Sequence, residues 1–185
     1  RIGEILERND VVIKDEFLVS CRNPELLKKY NLENIESFEG FLFPDTYHFT
    51  PSMNSDEVVT FMVDNFFNKI SQIKGFENLS TEQMYYVLRL ASIVEREYRI
   101  KEEAPLIASV FSNRLRRTIG LYSCATVEYI ITEIEGRPHP DVITYKDLKI
   151  ESPYNTYIHA GLPPTPISNP GVIALSAAVN PPKTS

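Results

Sequence analysis

The sequence has 185 residues, 43% of them hydrophobic, and a formal net charge of −6. That is enough apolar material for one domain with a substantial core, or for one domain with a small appendage. The acidic balance and the lack of any Lys or Arg run argue against a nucleic-acid partner, and no stretch is long enough to span a bilayer. Cys21 and Cys124 are too few and too distant for a zinc site or a disulfide framework, and His48, His139 and His159 lack ligand spacing. The expectation is two free thiols, no metal and no cofactor. Phosphoryl, hydride and serine acyl-transfer chemistries find no motif here either.

The first 31 residues read as a short helix on Ile2, Ile5 and Leu6, a polar turn, then helical pieces over 16–20 and 24–30. They carry no chemistry and suit a small binding or packing module, or a helical flap on the main domain. Residues 38–49 are dense in aromatics. Alternation of Phe41, Phe43, Tyr47 and Phe49 around a Pro44-Asp45 turn predicts short β segments. Rings mixed with Glu39, Asp45 and Thr46 suit stacking on sugar faces as well as plain core packing. A scaffold helix follows, capped by Ser55, with Val58, Val59, Met62, Val63, Phe66, Phe67 and Ile70 at helical spacing.

Residues 80–98 form the stretch with most chemical content. Ser80 with Gln83 three residues later is a capping box, so a helix starts there. Counted at about 100° per residue from Met84, the residues Val87, Leu88, Ala91 and Val94 form one apolar face. Glu95 falls within that face, whereas Glu97 falls on the opposite, solvent side. A carboxylate against an apolar wall holds its proton to higher pH and can deliver it near neutrality. The competing reading is equally open: an inward Glu paired with an Arg from another helix.

A further helix begins near 101–105, with Ile107, Val110, Phe111 and Leu115 as its stripe and Pro105 in its first turn. Asn113 and Arg114 interrupt the stripe and either reach toward Glu95 or pair locally. Gly120 is read as the helix end, with 121–130 leading into a short apolar element. Beyond it, 152–157 and 161–171 concentrate Pro and Tyr, which predicts rigid ordered loops rather than a linker. A last helix over about 171–179 buries Ile173, Leu175 and Ala178.

Four blocks in this order resemble one family: Glu-Gly-Phe-Leu-Phe-Pro-Asp-Thr-Tyr from Glu39, Ala-Ser-Ile-Val-Glu-Arg-Glu from Ala91, Ala-Ser-Val-Phe-x-Asn-Arg-Leu from Ala108, and Ser-Pro-Tyr-Asn-Thr-Tyr with Gly-Leu-Pro-Pro. The family is the endolytic murein transglycosylases of the MltG type, or YceG-like family. The resemblance implies an α+β fold: a mainly helical catalytic domain over 38–185 with short β segments and long ordered loops. It also implies a partial LysM-like module over 1–37, an upstream transmembrane anchor at the extracytoplasmic face of the bacterial inner membrane, and a strand-forming segment past Thr184. One departure stands out. The family commonly has Leu-Gln-Ser-Asp-Pro-Thr-Val where this chain has Leu121-Tyr122-Ser123-Cys124-Ala125-Thr126-Val127.

The resemblance further implies that Glu95 is the catalytic acid. It would protonate the MurNAc–GlcNAc glycosidic oxygen of peptidoglycan, then accept the proton of the MurNAc C6 hydroxyl as that hydroxyl attacks C1, leaving a 1,6-anhydro end. Ser123, Thr126, Tyr154, Asn155, Glu39 and Asn113 are the candidate substrate-binding residues. Glycan strands are the expected partner, with cell-wall synthesis proteins as further candidates. Two alternatives stay open at this level: a hydrolase using Glu39 or Glu103 as a second carboxylate, and a noncatalytic wall-binding scaffold.

Overall fold

The computed structural model describes residues 1–50 and 52–183. Among these, the helices are α1 (Ile2–Arg8), α2 (Lys14–Ser20), α3 (Pro24–Lys29), α4 (Ser55–Ile70), α5 (Thr81–Glu97), α6 (Ala104–Arg116), α7 (Cys124–Tyr129) and α8 (Val172–Val179). A π-helical turn, Ile130–Ile134, extends α7.

Helix starts follow their caps. At α5, Ser80 Oγ accepts from the Gln83 amide at 3.2 Å while Gln83 Oε1 accepts from the Ser80 amide at 2.9 Å. α4 has the same reciprocal box, but its cap is Asn54, with Ser55 the first helical residue. Asn54 Oδ1 accepts from the Glu57 amide at 3.0 Å, and Glu57 Oε2 accepts from the Asn54 amide at 2.8 Å.

The centre of the molecule is the packing of α5, α6 and α8 on one another. α5 buries the expected Met84, Val87, Leu88, Ala91 and Val94, and also Leu90, Ser92 and Ile93, so its last turns are covered on several sides. Ala174, Leu175, Ala177 and Ala178 form the buried side of α8, where small side chains allow a close approach. Ile173, expected inside, is 40% exposed.

Three further sequence expectations need correction. The α+β assignment fails, because among the described residues the β structure is a single isolated bridge between Gly120 and Ala160. Residues 38–49 form an irregular segment in which the consecutive Phe41, Leu42 and Phe43 are all buried, where a half-buried strand would alternate. Two of its backbone donors go to a side chain rather than to a ladder: the Gly40 and Leu42 amides both donate to Asn169 Oδ1, at 2.8 and 2.9 Å. Gly40 sits at φ +93°, and a Cβ there would lie 2.6 Å from Pro166, so glycine is required on both counts.

The LysM-like module is the second. Residues 1–37 contain only α1–α3, and α2 packs on α4. Leu6, Phe17, Leu27 and Leu32 belong to the same buried cluster as Phe38, Phe41 and the α5 face. The third concerns Gly120. α6 already ends at Arg116, where Thr118 turns left-handed at φ 54°. The segment expected past Thr184 lies outside the described residues.

Candidate active site around Glu95

Glu95 stands in the last turn of α5, where the helix is stitched to the loop that enters α8. Ser92, one turn earlier and fully buried, accepts from the Ile167 amide through Oγ at 3.0 Å. Its carbonyl accepts from Ser168 Oγ at 2.8 Å. Arg89 adds a bond from Nη1 to the Pro163 carbonyl at 3.2 Å. These bonds carry the loop past the end of α5, and the Gly171 amide donates to Glu95 Oε2 at 3.0 Å. Gly171 is also the N-cap of α8, so the carboxyl group lies at the positive end of that helix.

The opposite oxygen, Oε1, receives a long bond of 3.5 Å from the Tyr98 hydroxyl. Burial nevertheless dominates: loss of water raises the Glu95 pKa, outweighing the Gly171 amide and the Tyr98 hydroxyl, which both favour the carboxylate. None of the ion pairs among the described residues involves Glu95. The competing reading of a structural Glu–Arg pair therefore finds no partner. Arg114 points elsewhere: its guanidinium donates to the Leu121 carbonyl and lies over the Tyr122 ring.

Glu97 corrects the helix-wheel reading. It is only part-exposed and accepts a hydrogen bond from Ser123 Oγ. That bond ties the end of α5 to the start of α7, where Ser123 is the N-cap.

The six candidate substrate residues fall into two groups, with Asn113 apart. Ser123, Thr126 and Asn155 are buried and occupied within the chain. The Ser123 amide donates to Thr156 Oγ1 at 3.1 Å, and Thr126 Oγ1 donates to the Ser123 carbonyl at 2.7 Å. Asn155 Nδ2 bridges the carbonyls of Leu148 and Ile150 at 3.1 and 2.8 Å. Together they lock 121–126 onto 148–157. Glu39 and Tyr154 form the second group. Glu39 Oε2 accepts from the Tyr129 hydroxyl at 2.8 Å, and the Tyr129 ring lies 5.1 Å from that of Tyr154. Tyr154 in turn hydrogen-bonds Thr165 at 2.8 Å. Burial raises the Glu39 pKa against the Tyr129 bond, making it a second carboxyl that resists ionisation. Asn113 accepts from Arg116 on the same helix.

Sequence reasoning missed Ser92, Tyr98, Asn169 and Gly171. Ser92 carried a signal, a small hydroxyl one turn before Glu95 among apolar residues. Gly171 acts through its backbone, which no residue pattern advertises.

The YceG-like family model matches residues 2–185. The chain belongs to the YceG-like family. Among YceG-like relatives it is 37% identical over 176 residues to the endolytic murein transglycosylase of Bacillus subtilis, covering 95% of this chain and 44% of that protein. The endolytic murein transglycosylase of Streptococcus pneumoniae strain D39 is 31% identical over 182 residues, covering 91% of this chain and 32% of that protein. A crystal structure of a yceG-like protein from Listeria monocytogenes superposes with a TM-score of 0.79 at 33% identity, over 97% of this chain and 62% of the other. The chain thus spans less than half the length of these two curated relatives. Among the described residues, no three or more His, Cys, Asp or Glu side chains are grouped to hold a metal ion.

Proposed function

We propose that this chain carries the catalytic acid–base of an endolytic lytic transglycosylase acting on peptidoglycan, and that Glu95 is that group. The observation carrying the reading is the state of Glu95: half-buried, raised in pKa, unpaired with any cation among the described residues, and fixed by the Gly171 amide.

Chemically, one such carboxyl suffices. Protonated Glu95 gives its proton to the glycosidic oxygen as the C1–O bond between MurNAc and GlcNAc breaks. Positive charge then builds on C1 and the ring oxygen. The carboxylate left behind takes the proton of the MurNAc C6 hydroxyl, whose oxygen closes on C1. The proton lost and the proton gained balance, and the product is a 1,6-anhydro end without added water. The Gly171 amide and Tyr98 hydroxyl stabilise the intermediate carboxylate, while burial keeps the acid form available near neutrality. Ser123, Thr126 and Asn155 act by holding the loops around α7. Glu39, Tyr129 and Tyr154 act as an aromatic and polar wall. The relatives, named as murein transglycosylases, support peptidoglycan as substrate, and action outside the cytoplasm follows from where that polymer lies.

The test is digestion of purified peptidoglycan by the full-length protein beside Glu95→Gln, with products read by mass spectrometry. Internal cuts ending in 1,6-anhydro-MurNAc, lost in the variant, are expected. Reducing ends one water heavier would replace the reading by a hydrolase, and unchanged cleavage by Glu95→Gln would remove Glu95 from the chemistry.

A further inference from the structure

A groove of about 700 Å³ lies between α1 and the irregular segment 42–49, with Asn169 also in its lining. Its volume is in the range that holds small ligands, ~300–1,000 Å³. It adjoins the acid. An atom placed at the Cβ position of Gly171 would lie 3.8 Å from Glu95 Oε2 and 3.8 Å from Pro44 Cγ, and Pro44 is part of the groove wall. Asn169 fixes the relation, because its side chain holds the Gly40 and Leu42 amides that lead into that wall.

The walls suit an amphipathic ring. Tyr47 and Phe49 stack at 5.4 Å with an interplanar angle of 15°. Tyr47 is held in place, its hydroxyl donating to the Phe43 carbonyl at 2.6 Å and accepting from Asn65 Nδ2 at 3.0 Å. Flat carbon surface is thus offered by rings that pay little entropy on binding. The exposed His48 lines the same groove and presents a polar ring edge, beside Asn9, whose Nδ2 already donates to the Ile5 carbonyl at 2.7 Å. Pyranose sugars have the matching build: C–H groups on one face, and hydroxyl and N-acetyl groups around the edge. A cut inside a strand also requires sugars on both sides of the broken bond, hence a binding track leading away from the acid.

We infer that this groove binds the N-acetylated glycan on one side of the scissile bond, so that α1, remote in sequence from Glu95, takes part in substrate binding. The inference rests on the transglycosylase reading for its substrate but is tested separately. Full-length protein carrying Glu95→Gln is titrated with a peptide-free GlcNAc–MurNAc disaccharide and with an octasaccharide. Ile5, 53% exposed on α1, lines the groove, and Ile5→Trp fills it. The expected result is octasaccharide binding weakened about tenfold or more, with a much smaller change for the disaccharide. With Glu95 intact, Ile5→Trp should raise KM and leave kcat unchanged. Asn9→Ala and His48→Ala, both surface changes, give the same reading in milder form if Ile5→Trp lowers the melting temperature.

Unchanged glycan affinity and KM in all three variants would overturn the inference, as would lost retention on phosphatidylglycerol vesicles with glycan binding intact. If the unsubstituted protein makes no anhydro ends, the transglycosylase reading fails, while the titration still reports on the groove.

Discussion

At the scale of single residues, the decisive group is Glu95, whose position balances burial against two hydrogen bonds. Its folded pKa lies above the unfolded value, so its ionisation opposes folding. The relative stability it confers is full below the unfolded pKa and is lost as pH rises through the folded one. Glu95→Gln keeps an acceptor for the Gly171 amide and removes the charge. It should therefore raise the melting temperature at pH 7 by about 2 °C, with the gap closing toward pH 3, well below the unfolded value of 4.5, where the wild-type carboxyl is protonated in both states. Calorimetry at the two pH values checks this. Tyr98→Phe removes a bond that favours the carboxylate, so Glu95 should hold its proton to higher pH. The basic limb of the pH–rate profile should move upward without loss of the reaction. Helix periodicity alone made Glu95 legible, since it places the residue inside an apolar face. Glu97 shows where periodicity stops: the wheel puts it in solvent, and only the approach of Ser123 from another helix gives it a partner.

At the scale of elements, capping signals were the most readable part of the chain. Ser80 and Gln83 form the expected box. Ser80→Ala should cost about 1 kcal/mol in urea unfolding. In the segment 38–49 the alternation of aromatics imitates a half-buried strand without forming one. Two of its donors, the Gly40 and Leu42 amides, are satisfied by Asn169, more than 120 residues away, and no local pattern carries that information. Asn169→Ala should cost about 2 kcal/mol, through two part-buried amides left without their acceptor. It should also reduce cleavage more than its distance from Glu95 suggests, because Pro44 and the groove wall hang from it. Urea unfolding and peptidoglycan digestion read the two effects separately.

At the scale of the whole molecule, the buried cluster runs without a break from α1 through the aromatics of 38–43 to α5 and α8. Leu88 lies at the middle, fully buried, with its Cδ2 only 3.1 Å from where a Gly40 Cβ would stand. Leu88→Ala should cost about 3 kcal/mol. Near- and far-ultraviolet circular dichroism should show the variant unfolding in one transition, since α1–α3 share this core. The sequence by itself determined the main helices, the Ser80–Gln83 cap of α5, the inward Glu95 and, through its four blocks, the family. Each is encoded in neighbours along the chain, as a period of 3.6, a three-residue spacing or a contiguous motif. Tertiary structure alone decided that the aromatic segment is not a sheet, that residues 1–37 are a helical layer on the common core, and that a backbone amide at the start of α8 holds the Glu95 carboxyl. Those outcomes depend on groups far apart in sequence meeting as the apolar surfaces close, and a linear pattern does not record which distant donor arrives.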